Sequence, residues 1–126
     1  MPRPAVPSPL DAAQVEQVLR HAAKAGRIVS YGEVLRLLDR SFSRALVRAL
    51  CRVLGEVDDR AAACGEPELA ALVVRKADGI PGEGYFTSAR ARGEIDVPRD
   101  HPAARTYVAE RQDRAFRYWA RRDPNR

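Results

Sequence analysis

The run from Ser43 to Gly65, "SRALVRALCRVLGEVDDRAAACG", constrains this chain most, because one helical register gathers its apolar residues. At about 100° per residue, Leu46, Ala49, Leu50, Val53, Leu54 and Val57 fall on one side and must face a core. Arg44 and Arg48 fall almost opposite, with Arg52 at the shoulder and Cys51 between them. Ser43 or Ser41 caps the helix, which runs to about Ala63, and Gly65 stands where a helix-ending glycine belongs. Gly55 in the middle costs roughly 1 kcal/mol relative to alanine and marks a place for a kink or break. The first turns present an arginine ridge, and Asp58 and Asp59 reverse the sign farther on. A basic front and an acidic rear suit a helix whose N-terminal half enters a groove.

Two shorter helices are expected upstream. Asp11 caps the first, Gln14 completes a capping box, Gly26 ends it, and Val15, Val18, Leu19 and Ala22 form its buried stripe. Ser30 and Glu33 form a second capping box ahead of Val34, Leu35, Leu37 and Leu38, a helix that ends near Asp39. "RIVSY" between them is long enough for a turn or a one-bridge strand. Residues 1–9 hold four prolines and no apolar period, and read as a disordered lead-in.

Downstream the character changes. Residues 68–75 read as a strand, Asp78-Gly79 is a hairpin-turn signal, and residues 82–86 supply a short return strand. "FTSARARGEIDVPRD" reads as loop, and a last helix runs from about His101 to Arg122. Its stripe of Ala104, Val108, Ala115 and Trp119 packs on the helical core. Tyr107, Tyr118 and Phe116 beside that stripe make a dimer or protein contact the second expectation. Three helices, a hairpin and a further helix give the fold class: mainly α with a small β-hairpin, a winged helix-turn-helix plus an added C-terminal helix. The 126 residues make one domain, with residues 10–86 as the winged helix and 87–126 packed on it.

The net charge of +5 is compatible with a polyanionic partner, and its placement sharpens this. From residue 27 to 54, arginines 27, 36, 40, 44, 48 and 52 stand against Glu33 and Asp39 alone, a local charge of +4. Arg75 and Lys76 add to it from the hairpin. Cys51 and Cys64 are not spaced as a metal site and are expected as reduced thiols. The start, "MPRPAVPSPLD", lacks the apolar core of a signal peptide, and no run of about 18 apolar residues occurs, so cytoplasm and no membrane partner are expected. His21 and His101 suit surface or capping roles. Asp58 and Asp59 point about 100° apart on a helix and make no acid–base pair. "GIPGEG" lacks the lysine and helix of a phosphate loop. No catalytic residue, metal or cofactor is expected.

In "VSYGEV", "SRALVRAL" and "LAALVVRKADGIPGEGY", residues 27–86 resemble the DNA-binding domain of alkylguanine-DNA alkyltransferases and their catalytically silent relatives, the alkyltransferase-like proteins. That family reads roughly V-S-Y-G-E-[IV]-A, then A-R-A-V-G-x-A-[LM], P-C-H-R-V-[IV] and G-x-[LI]-x-G-Y. The resemblance implies that Tyr31 lies beside a target phosphate and helps rotate a nucleotide out of the duplex. It implies that Arg44 enters the space left by that base, and that the recognition helix sits in the minor groove. The reactive P-C-H-R falls on "LAAL", Leu69 to Leu72, so Ala70 or Ala71 stands where the nucleophile belongs. A methyl carbon accepts no alkyl group, which excludes alkyl transfer there. The family's glycine after R-A-V is Val47, and its asparagine hinge is replaced by the extension "CRVLGEVDDRAAACGEPE".

The expected function is therefore non-enzymatic binding of double-stranded DNA. Its contacts are Tyr31, Arg44, Arg48 and Arg52, with Arg75 and Lys76 on the wing and Ser41 and Ser43 on phosphates near the helix start. The rivals are a regulatory protein adaptor and a sensor of alkylated bases.

Overall fold

The structure, a computed structural model, describes residues 10–122. The proline-rich lead-in expected at residues 1–9 lies outside the described residues. The chain is mainly helical: α1 (Ala12–Lys24), α2 (Tyr31–Leu37), α3 (Arg44–Ala63), α4 (Glu83–Ala91) and α5 (Pro102–Ala120). Two short strands, β1 (Val29–Ser30) and β2 (Val73–Val74), pair in parallel with Val29 opposite Val73 and Ser30 opposite Val74. No helix among the described residues is long and apolar enough to cross a membrane.

The first three helices begin at the expected caps. The Asp11 carboxylate accepts from Ala13 N at 2.8 Å, Ser30 Oγ from Glu33 N at 3.1 Å, and Ser43 Oγ from Leu46 N at 3.1 Å. Each satisfies one of the free N–H groups of a first turn, for about 1 kcal/mol. Gly26 and Gly65 follow α1 and α3 in the left-handed region, at φ 68° and 69°. No break interrupts α3, which runs through Gly55, where a Cβ would meet nothing within 4 Å. Ala49, Leu50, Val53, Leu54 and Val57 are buried and Leu46 is half-buried, as the register requires.

The expected β-hairpin is not formed. Residues 70–72 make a 3-10 turn, only Val73 and Val74 are strand, and their partner is β1, far upstream. The expected return strand at 82–86 belongs to α4, and much of the expected loop after it is helical too. The physical reason is the spacing of Phe86 and Ala89. In a helix these two face the same side, and both are fully buried with Ile80, Ala104, Tyr107 and Val108. Pro81 and Gly82 punctuate the entry, with Gly82 as N-cap and Glu83 in the first turn. The glycines and proline that suggest a turn thus mark a helix start.

Two clusters make the core. The larger joins α1, α2, α3 and both strands with Ala115 and Trp119 of α5; the smaller joins α4 to the first half of α5. The apolar stripe of α5 serves both. Tyr107 is 8 % exposed and Trp119 5 %, while Phe116 and Tyr118 pack against the larger cluster. Of the aromatic residues that suggested a dimer contact on this helix, Tyr107 and Trp119 are thus buried within the chain, while Phe116 and Tyr118 are half-buried.

Candidate nucleic-acid interface

Ser30 caps α2, which places Tyr31 in its first turn, and the Tyr31 ring is buried. The Tyr31 hydroxyl accepts from Gly82 N at 2.9 Å, and so ties the start of α2 to the N-cap of α4. A Cβ on Gly82 would lie 3.3 Å from that oxygen, tighter than ordinary contact, so a glycine suits this approach. Burial pushes the Tyr31 phenol above its usual range. Tyr31 is therefore a strut behind the candidate surface, with its ring edge lining two cavities.

On α3 the arginine ridge is exposed as expected. Arg44, Arg48 and Arg52 face solvent, and among the described residues none has a carboxylate within 4 Å. Ser43 is spent on its cap, and Ser41 is exposed in the turn before it. Arg75 and Lys76 are also exposed without ion pairs among the described residues. Many of the other arginines are paired: Arg20 with Glu16 and Glu66, Arg27 with Glu33, Arg99 with Asp78.

The loop carrying Arg75 and Lys76 is a single closed turn. Arg75 N donates to Ile80 O at 2.9 Å and Gly79 N to Arg75 O at 2.8 Å, with Gly79 at φ 73°. The Asp78-Gly79 turn is thus present although no hairpin strands flank it. Arg99, which sequence reasoning passed over, fastens it from outside. Its guanidinium donates to Pro81 O at 2.8 Å and Ile80 O at 3.3 Å, and meets both Asp78 carboxylate oxygens at 2.8 and 3.0 Å. Hydrogen bonding from Arg99 holds the Asp78 carboxyl down at about 2.

A cleft of about 550 Å³ lies between this loop and α3, bounded by Tyr31, Phe42, Val47 and Val74 with Arg75 and Lys76 on its rim. A second cavity of about 490 Å³ opens between α3 and α4. Ala70 and Tyr85 line it with Cys51, Arg52, Gly55 and Glu68. Of the two alanines at the nucleophile position, Ala70 reaches this cavity, whereas Ala71 is wholly buried. Cys51 borders both cavities, and burial pushes its thiol upward, away from the reactive thiolate. Both cysteines are free. The "CRVLGEVDDRAAACGEPE" extension is the rear of α3 and its closing turn.

The acidic rear of α3 has a structural task. Asp58 Oδ1 accepts from Leu69 N at 2.8 Å and Ala70 N at 3.1 Å, and so holds the 3-10 turn beneath the cavity. Asp59 is exposed, and both carboxylates border the cavity between α3 and α4. His101 caps α5 by accepting from Ala103 N at 3.0 Å, and His21 is exposed. No group of three or more metal-ligating side chains occurs among the described residues.

Glu68 is the most perturbed carboxyl in this region. Burial, with Asp58 adding to it, raises its pKa from the usual 4.5 to about 7, while Arg111 at 3.6 Å opposes. The Tyr85 hydroxyl donates to Glu68 Oε1 at 3.2 Å. A carboxyl raised in this way contributes stability that is complete below about pH 4.5 and is lost as pH rises through 7. Glu68→Gln keeps an acceptor for Tyr85 and removes the titration. Its melting temperature relative to the parent should therefore climb between pH 4 and pH 8, by roughly 1–3 kcal/mol of stability. An unchanged difference at the two pH values would refute the assignment.

No protein-family model, no curated protein and no solved structure matches this chain.

Proposed function

We propose that this chain is a non-enzymatic double-stranded DNA-binding protein of alkyltransferase-like type. In this reading α2 and α3 form the helix-turn-helix, α3 is the recognition helix, and the 75–80 loop is a wing reduced to one turn. The observation that carries the reading is the set of exposed cations without ion pairs among the described residues: Arg44, Arg48 and Arg52 on α3, and Arg75 and Lys76 on the loop at the cleft. Arg44 also stands at the positive end of the α3 dipole, where an acidic residue would serve the helix better. Local stability does not account for arginine there; a polyanionic partner does. With alanine where the resemblance places the nucleophile, the reading includes no alkyl transfer.

A second reading is favoured by the 490 Å³ cavity at Ala70: a sensor that takes an altered base from the duplex without repairing it. A salt titration of binding to plain, O-alkylated and single-stranded oligonucleotides tests both. Four to six phosphate contacts give a slope of log affinity against log salt of about −4 to −5 on plain duplex. Equal affinity for plain and alkylated duplex selects the simple binder, and clear preference for the alkylated one selects the sensor. A slope shallower than about −1, or no preference for duplex over other polyanions, would sink both.

A further inference from the structure

Phe42 is the most exposed large apolar side chain among the described residues, at 68 %. It stands in the turn between α2 and α3, two residues ahead of Arg44, with a serine on either side. Such a turn accepts serine or asparagine more readily, and leaving a phenylalanine in water forfeits roughly 1.5–3 kcal/mol of burial. The turn therefore gives no reason for the ring. Nor does the ring hang free. It packs over Gly32, whose Cβ, were one present, would lie 3.8 Å from Phe42 Cδ2, and it borders the 550 Å³ cleft opposite Arg75 and Lys76. An aromatic surface is thus held next to the cationic ridge, supported on its inner side and open on the outer.

We propose that Phe42 is a base-stacking wedge, which rests on the duplex-binding reading above. As the front of α3 enters the groove, the ring inserts at a base step and partly unstacks it, while Arg44 and Arg48 hold the flanking phosphates. Nucleic acid fits this surface better than an apolar peptide. Arg44, two residues on, and Arg75 and Lys76 at the cleft have no ion pair among the described residues, and DNA supplies π-faces and regularly spaced anions together. Unstacking costs a few kcal/mol and costs least where stacking is already weak. The chain should therefore prefer duplexes carrying a mismatch over fully paired ones.

The test uses matched and T·T-mismatched duplexes with 2-aminopurine beside the mismatch, titrated with the full chain. The parent should bind the mismatched duplex more tightly and change the 2-aminopurine emission. Phe42→Ala should weaken binding to that duplex about five- to hundredfold. It should also abolish the emission change and the mismatch preference, and leave the salt slope unaltered. Phe42→Trp should restore all three. The ring is exposed, so a thermal melt near that of the parent is expected for both variants. If Phe42→Ala matches the parent in affinity and emission while Arg44→Glu/Arg48→Glu loses binding, the wedge is wrong and the duplex reading stands. If neither variant changes binding, both are wrong.

Discussion

Reversing two charges at the front of α3, Arg44→Glu with Arg48→Glu, should lower duplex affinity at least about a hundredfold at 0.1 M salt. Each phosphate contact at that salt is worth close to a factor of ten through counterion release, and the new carboxylates add repulsion. The salt slope should flatten by about 2, the share of the two lost contacts. The fold should not suffer. Both side chains are exposed and have no ion pair among the described residues. A glutamate in the first turn of α3 interacts favourably with the helix dipole, for about 0.3–1 kcal/mol. The double variant is thus expected to melt at or slightly above the parent temperature while failing to shift duplex in an anisotropy titration. Retention of parental affinity would remove α3 from the interface.

Phe86→Ala should destabilise the protein by about 3–5 kcal/mol, a drop in melting temperature of about 10–20 °C. Phe86 is fully buried, meets Tyr85 edge-on at 5.3 Å between ring centroids, and fills the seam between α4 and α5. Its removal leaves a void that the two helices close only in part. The outcome discriminates between two placements of the same residue. In a flexible loop or an edge strand the change would cost little, within about 0.5 kcal/mol for a surface site. Calorimetry of the variant therefore tests α4 itself.

Phe86 belongs to the stretch in which local pattern and tertiary contact disagree. Asp78, Gly79, Pro81 and the two following glycines carry strong turn signals, and one turn does form there, at Asp78-Gly79. The same residues also suit the entry to a helix, because proline and glycine punctuate both. What separates the two is a partner for Phe86 and Ala89, and that partner is α5, about twenty residues farther along. The strand at Val73 and Val74 has the same character. Its apolar composition announces a buried extended segment, while the choice of β1 as its neighbour is a long-range event.

The candidate site divides likewise. The cationic ridge of Arg44, Arg48 and Arg52 is legible from α3 alone, since the helical period fixes which side faces out. Arg99, Asp58 and Glu68 are not legible, because each acts on backbone or side chains distant in sequence, and a charged residue by itself looks like surface. Tyr31 was visible as a motif residue, yet its hydroxyl is engaged by Gly82 rather than left open.

By itself the sequence determined the caps, the registers of α1, α2 and α3, and the sign of charge on the outer face of α3. These depend on neighbours within about one helical turn. The tertiary structure alone decided that 83–91 is a helix, that β2 pairs in parallel with β1, and that Tyr107 and Trp119 of α5 are buried. It also decided which of the two alanines opens onto a cavity. Those outcomes follow from burial between segments far apart in the chain, where the free energy of removing apolar surface from water outweighs local turn preference.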